Sequence, residues 1–152
     1  MKKILSLLVI LLISQLCVDA EISVASVLGN GMVLQRNTEV KLWGKANPSE
    51  RLIVTTSWNR IKMKTVSNDL GEWLIKVPTA EAGGPYKITI ASKHDKKTIS
   101  DVLLGEVWLC SGQSNMAEPL KGYPNQPING FFDLLLDADN SSIRLYTVQK
   151  CS

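Results

Sequence analysis

Between Glu21 and about Leu103 the sequence alternates apolar and polar residues with a period of two, in runs of five to seven residues. In "EVKLWGK", Val40 and Leu42 share one face while Lys41 and Trp43 take the other. In "IKMKTV", Ile61, Met63 and Thr65 oppose Lys62, Lys64 and Val66; Trp73, Ile75 and Val77 align in "EWLIKVP", and Tyr86, Ile88 and Ile90 in "YKITI". Side chains of a strand alternate between its faces, so such runs bury one face and wet the other. Turn residues cut the runs at Gly29-Asn30-Gly31, Asn47-Pro48-Ser49, Asn59-Arg60, residues 68–71, Gly83-Gly84-Pro85 and His94-Asp95. A spacing near ten residues with no helical period predicts an all-β, immunoglobulin-like antiparallel sandwich over residues 21–102.

Residues 1–20 stand apart from that pattern. Lys2 and Lys3 precede a mostly apolar run, residues 4–18, and Val18-Asp19-Ala20 offers small residues where a signal peptidase cuts. The run is too short for a membrane span, and Ser6, Ser14 and Gln15 interrupt it. The expectation is a cleaved signal peptide and an exported protein, periplasmic or extracellular, with no stable membrane span afterwards. Bulky Leu16 argues against lipid attachment at Cys17. Removing this leader takes away Lys2, Lys3 and Asp19, leaving 15 basic and 13 acidic residues of the original 17 and 14. That balance, with its charges scattered, gives no footprint for nucleic acid. Cys110 and Cys151 remain; one pair is no disulfide framework, so Cys110 reads as a buried apolar residue at a strand end.

After Asp101 the character changes. "VLLGEVWLC" is a nearly continuous apolar run, the pattern of a strand covered on both faces. A Gly-Gln-Ser-Asn turn follows, then an irregular stretch, then "FFDLLLDA" as a short helix capped at Asn129, then "IRLYTV" as a second strand. Strand, crossover with helix and strand make a β-α-β unit, which implies a parallel sheet. Two strands do not stabilise an α/β domain. Residues 103–152 therefore read as the start of a truncated second domain, with exposed apolar surface and poor solubility as the consequence.

Ser114 lies in "SGQSNM". A serine hydroxyl needs a positioned base to act as a nucleophile, and a tight turn at a strand's C-terminal end is where α/β sheets present ligand-binding groups. Gly112 leaves room for an incoming substrate, and the Ser114 amide can point at a developing oxyanion. Met116 stands where the Gly-x-Ser-x-Gly elbow of α/β-hydrolases has its last glycine. On these residues alone, a strand-terminating Ser/Asn turn whose side chains cap the next element is the plainer reading, and a nucleophile the sharper one.

"GEVWLCSGQSNM" resembles the nucleophile block of the sialate O-acetylesterases and related carbohydrate acetylesterases of the SGNH-hydrolase superfamily. "NGMVLQR", "VKLWGKANPSERL", "DLGEWLIKVPTAEAGGPYKITI" and "ISDVLLGEVWLCSGQSNM" are similar to that family's β-sandwich and its junction, and "SSIRLYTVQK" to its second strand. The resemblance implies a flavodoxin-like α/β fold for residues 103–152. It also implies a serine esterase that removes O-acetyl groups from sialic acid or a related carbohydrate, such as a hemicellulose sugar. Ser114 would be nucleophile and backbone oxyanion donor, with Gly112, Gln113 and Asn115 supporting the turn. The family's base, a histidine in a late Asp-x-x-His block, has no counterpart here, so the isolated chain is expected to be inactive. No cofactor is implied, and the sequence has neither metal-ligand spacing nor a phosphate-cradling glycine loop.

The remaining residues with a case for function weigh less. His94, the one histidine, sits in the polar turn "SKHDKK" and reads as a surface residue. Trp73 and Trp108 fall on apolar patterns and read as core; Trp43 and Trp58 are the candidates for sugar contact. Asn140-Ser141-Ser142 fits a glycosylation acceptor, but helix termination by Asn140 is the plainer role. The alternative to an esterase is a non-catalytic β-sandwich that binds glycans or serves as a scaffold.

Overall fold

The computed structural model describes residues 21–148, so the leader expected over residues 1–20 and Cys151 lie outside the described residues. The chain forms β1 (Ser23–Val24), β2 (Val33–Gln35), β3 (Glu39–Lys45), β4 (Arg51–Thr56), β5 (Lys62–Val66), β6 (Glu72–Pro78), β7 (Gly83–Ala91) and β8 (Lys96–Gly105). They build two sheets, ordered β1-β3-β6 and β2-β8-β7-β4-β5. Beyond them lie the helix α1 (Ser114–Ala117), a two-residue hairpin of β9 (Gly122–Tyr123) and β10 (Gln126–Pro127), and α2 (Phe131–Leu136). Among the described residues, no helix is long and apolar enough to cross a membrane.

The alternation does what it predicts. Leu42 on β3 and Trp73, Ile75 and Val77 on β6 point inward from one sheet. Leu52 and Val54 on β4, Ile88 and Ile90 on β7, and Ile99, Val102 and Leu104 on β8 meet them from the other. All belong to one buried cluster. Each fully buried aliphatic side chain contributes about 1.5–3 kcal/mol relative to an exposed one. Where the open edges of the sheets approach, the Thr65 hydroxyl on β5 donates to the Leu74 carbonyl on β6 at 3.0 Å.

Pairing departs from the fully antiparallel expectation at one place. β2 runs parallel to β8, with Val33 opposite Leu103 and Gln35 opposite Gly105. The expected turn at Gly83-Gly84-Pro85 instead opens β7. Gly84, at φ +139°, and the cis Gly84–Pro85 bond sit where the β7–β8 register shifts.

The larger differences follow β8. Residues 102–110 are not one strand: the first four complete β8, and residues 106–112 have no regular structure. The cause is the ladder itself. β2 ends at Gln35 opposite Gly105 and β7 begins at Gly83 opposite Leu104, so hydrogen-bonding partners run out on both sides together. An apolar run without neighbours cannot hold a strand. Trp108 is 82% and Leu109 90% exposed, so Trp108 is no core residue; Trp73, at 2%, is one. Cys110 is likewise exposed, not buried at a strand end. Residues 143–148 also lack regular structure, with Leu145 exposed. The expected β-α-β unit is therefore not formed among the described residues, because neither of its strands has an adjacent one. The helix in "FFDLLLDA" does form, but Gly130 at φ +79°, not Asn129, is its N-cap residue, and no residue of α2 is buried.

Gly44 is required by close approach. A Cβ there would lie 1.9 Å from the Ser23 carbonyl oxygen of β1, which is backbone and cannot rotate away. A Cβ on Gly105 would meet only Val33 Cγ1 at 3.6 Å, an ordinary contact. Gly44→Ala is expected to cost about 2 kcal/mol or more in urea unfolding, while Gly105→Ala stays within about 0.5 kcal/mol of the parent. Equal midpoints for the two variants would show that β1 does not pack as described.

Candidate active site

The chain leaves the sandwich at Gly105, and the next two residues are held firmly. The Glu106 carboxylate accepts from the Gln35 amide (Nε2 to Oε2, 2.9 Å) and from Arg36 Nε (to Oε1, 2.7 Å). The Val107 N–H donates back to Gln35 Oε1 at 2.9 Å, and the Arg36 N–H to the Gly105 carbonyl at 2.9 Å. Gln35 is itself tied to the loop that follows β6, its carbonyl accepting from the Thr79 hydroxyl at 2.8 Å. Hydrogen bonding to the charged form, from Gln35 first and Arg36 second, holds the Glu106 carboxyl below its ordinary value. The Arg36 and Glu106 side chains are 43% and 50% exposed, so the pair fixes direction more than it adds stability.

Nine residues beyond the exit, Ser114 opens the single turn of α1. Gln113 is the N-cap residue at φ −107° and makes no side-chain capping bond; its carbonyl accepts from the Met116 N–H at 3.1 Å. Gly112 lies against Met116, whose Cγ would be 2.8 Å from a Cβ placed there, so the turn closes with methionine folded over glycine. Gly112, Gln113 and Ser114 are exposed, and Asn115 is the second residue of α1. The structure thus brings Gly112, Gln113, Ser114 and Asn115 together in one turn with the serine open to solvent. That turn does not sit on a strand end, as expected, but at the end of an irregular linker.

The one histidine lies at the opposite end of β8 from the exit. His94 is exposed in the bend between β7 and β8, its N–H donating to Ser92 Oγ at 3.1 Å. From there β8 carries the chain roughly 30 Å, at about 3.3 Å per residue, before the exit at Gly105. Two clefts lie elsewhere. One, of about 620 Å³, is lined by Trp43, Trp73, Leu74, Lys45 and Glu72 on the three-stranded sheet, and the other, of about 520 Å³, by residues around Phe131. Trp43 is 41% exposed in the first cleft. Trp58 instead stacks edge-on against Tyr86 at 5.7 Å and donates its Nε1–H to the Pro78 carbonyl at 3.0 Å, so its polar group is already used.

Sequence reasoning missed Gln35, Arg36 and Glu106 as a unit, because they are separated by about 70 positions and only the parallel β2–β8 pairing joins them.

Comparison with known proteins gives a consistent answer. No family model matches the chain. The chain is similar to a novel carbohydrate acetylesterase from Xanthomonas citri, known from its crystal structure. The TM-score is 0.69 and the identity 27%, covering 79% of this chain and 26% of that one. It is 30% identical over 133 residues to the sialate O-acetylesterase of Mus musculus and 31% identical to that of Pongo abelii, matches that cover 82% of this chain. Both kinds of likeness lead to acetylesterases. The chain belongs to the sialate O-acetylesterase family, and it spans about a quarter of the length of the curated relatives it matches.

The Glu106 cluster has a testable electrostatic signature. A carboxylate whose folded pKa is depressed contributes stability above the ordinary carboxylate value of about 4.3, and loses it as pH falls through the folded value. In a carboxyl NMR titration, Gln35→Ala and Arg36→Ala are each expected to raise the Glu106 midpoint. A midpoint that neither substitution moves would show that these two side chains do not hold the carboxylate.

Proposed function

We propose that this chain is part of an exported carbohydrate O-acetylesterase in which Ser114 is the nucleophile. In this reading Ser114 Oγ attacks the acetyl carbonyl of an O-acetylated sugar, sialic acid or a hemicellulose sugar. A base takes the hydroxyl proton, the sugar oxygen leaves with a proton, and water then releases acetate from the acetyl-enzyme. The Ser114 N–H, free at the start of α1, donates to the developing oxyanion. The observation that carries the reading is the exposed Ser114 in a Gly-Gln-Ser-Asn turn, within a chain whose relatives are named acetylesterases.

The finer architecture belongs to the same proposal. Residues 21–105 act as an immunoglobulin-like sandwich, and the stretch after Gly105 begins an SGNH-type, flavodoxin-like catalytic domain. Gln113 and Asn115 brace the nucleophile turn. The sole histidine, His94, is far along β8 from the exit, so the base is assigned to polypeptide outside this sequence. The sugar and acetate are the only partners the chemistry requires, and no cofactor takes part.

A second reading draws on Trp43, half-exposed in the cleft of the three-stranded sheet: a sandwich that holds glycans without catalysis. The two separate experimentally. In a hybrid with residues 21–148 replacing the aligned part of the Xanthomonas citri acetylesterase, Ser114→Ala is expected to lower aryl-acetate hydrolysis by at least about 10³-fold. Residues 21–152 alone are expected to show no Ser114-dependent hydrolysis. A hybrid that hydrolyses equally well with alanine at 114 would sink the nucleophile assignment.

A further inference from the structure

Residues 30–36, "NGMVLQR", lie alongside residues 100–107 for their whole length. Asn30 Oδ1 accepts from the Ser100 N–H at 2.8 Å, and the Leu103 N–H donates to the Met32 carbonyl at 3.0 Å. Val33–Gln35 then pair in parallel with residues 103–105, and Gln35 and Arg36 close on Glu106 and Val107. The strip ends where the nucleophile-bearing segment begins.

The far end of that segment returns to the same strand. Between the pairs Ile88–Ile99 and Tyr86–Val102, β8 has one residue more than β7, a bulge at Ser100-Asp101. Asp101 takes φ +56°, a left-handed conformation rare for a residue other than glycine, and its side chain turns out of the sandwich. Arg144 forks onto it: Nη2 donates to Asp101 Oδ1 at 2.9 Å and Nη1 to the Asp101 carbonyl. Gly31 lies beneath, with Arg144 Nη1 3.7 Å from where its Cβ would be. The Arg144 side chain is only 23% exposed, although its neighbours Ile143 and Leu145 are open to solvent.

We propose that Glu106 and Arg144 are positioning residues, two clamps that fasten the ends of segment 106–144, and hence Ser114, to the sandwich, the first at the end of β2 and the second on β8. This rests on the reading of Ser114 as nucleophile. An exposed ion pair is weak when it merely joins two mobile side chains. Here one partner of each pair is held by the sheet, Arg36 by the bond from its N–H to the Gly105 carbonyl and Asp101 by β8, and each clamp has a second, directional bond, from the Val107 N–H to Gln35 Oε1 and from Arg144 Nη1 to the Asp101 carbonyl. Fixing both ends closes the segment into a loop of defined origin, which reduces the volume its middle can explore. The strip 30–36 sets the first clamp, and the bulge at Asp101 sets the second.

The test uses the full chain with Cys17 and Cys151 changed to Ser, spin labels on Cys110 and on Lys64→Cys, and pulsed distance measurement between them. Glu106→Ala and Arg144→Ala together are expected to broaden the distance distribution at least about twofold, with the thermal midpoint of the sandwich unchanged. Glu106→Gln, which keeps an acceptor for Gln35, recovers part of the width in the Arg144 background and guards against misfolding as the cause. In the hybrid esterase, Glu106→Ala is expected to lower kcat about 10- to 100-fold while KM stays within about twofold. An unbroadened distribution in the double variant overturns the clamps. Broadening with kcat untouched overturns their role in positioning. Failure of the nucleophile reading appears separately, as a hybrid indifferent to Ser114→Ala.

Discussion

The two sheets hold together because inward-facing residues of β3 and β6 have nowhere to be dry except against those of β4, β7 and β8. Leu42, Val77, Leu52, Val54, Ile88, Ile90 and Val102 are wholly buried in that shared interior. The period-two pattern fixes which face each strand presents, and a slip of one residue would put lysines where leucines now meet. The segment that carries Ser114 leaves this interior through a single strand. β8 has Ile99, Val102 and Leu104 in the core, and its last residue is the point from which the chain departs toward Ser114.

The sandwich was legible from residues 40–91 because alternation is a local signal: Lys41 and Trp43 against Val40 and Leu42 needs only four letters to read. The stretch after Gly105 was not. "VLLGEVWLC" is uniformly apolar, and such a run says that a segment seeks cover without saying what provides it. The strand stops where β2 and β7 both cease to offer partners, a property of two distant segments. The residues around Ser114 predict a turn, and a single helical turn forms there, but a place on a strand end needs a sheet that residues 143–148 do not build. The Glu106 and Asp101 contacts were invisible for the same reason: each partner is separated by about 40 to 70 positions from the residue it holds.

Family membership and geometry address different parts of one question. The likeness to sialate O-acetylesterases extends over most of this chain, yet it accounts for a quarter of those relatives' length. What the described residues contribute on their own is presentation: a serine in the open, on a linker whose origin is fixed by an amide, a guanidinium and a parallel strand. A hydroxyl in the open is a poor nucleophile until a base is positioned beside it.

The Thr65–Leu74 bond and the lysines of β5 bear on how the protein behaves in a crowd. β5 is one of the two outer strands of the larger sheet, and Lys62 and Lys64 project from it into solvent. Charged side chains on an outer strand discourage a second molecule from adding to the ladder, and the hydroxyl bridge occupies one of the neighbouring β6 carbonyls. Association between copies through the β5 margin is thereby disfavoured. Adhesion, where it occurs, is directed to the uncovered Trp108, Leu109, Leu136 and Leu145 instead, so the molecule's stickiness and its exposed Ser114 reside in the same stretch of chain.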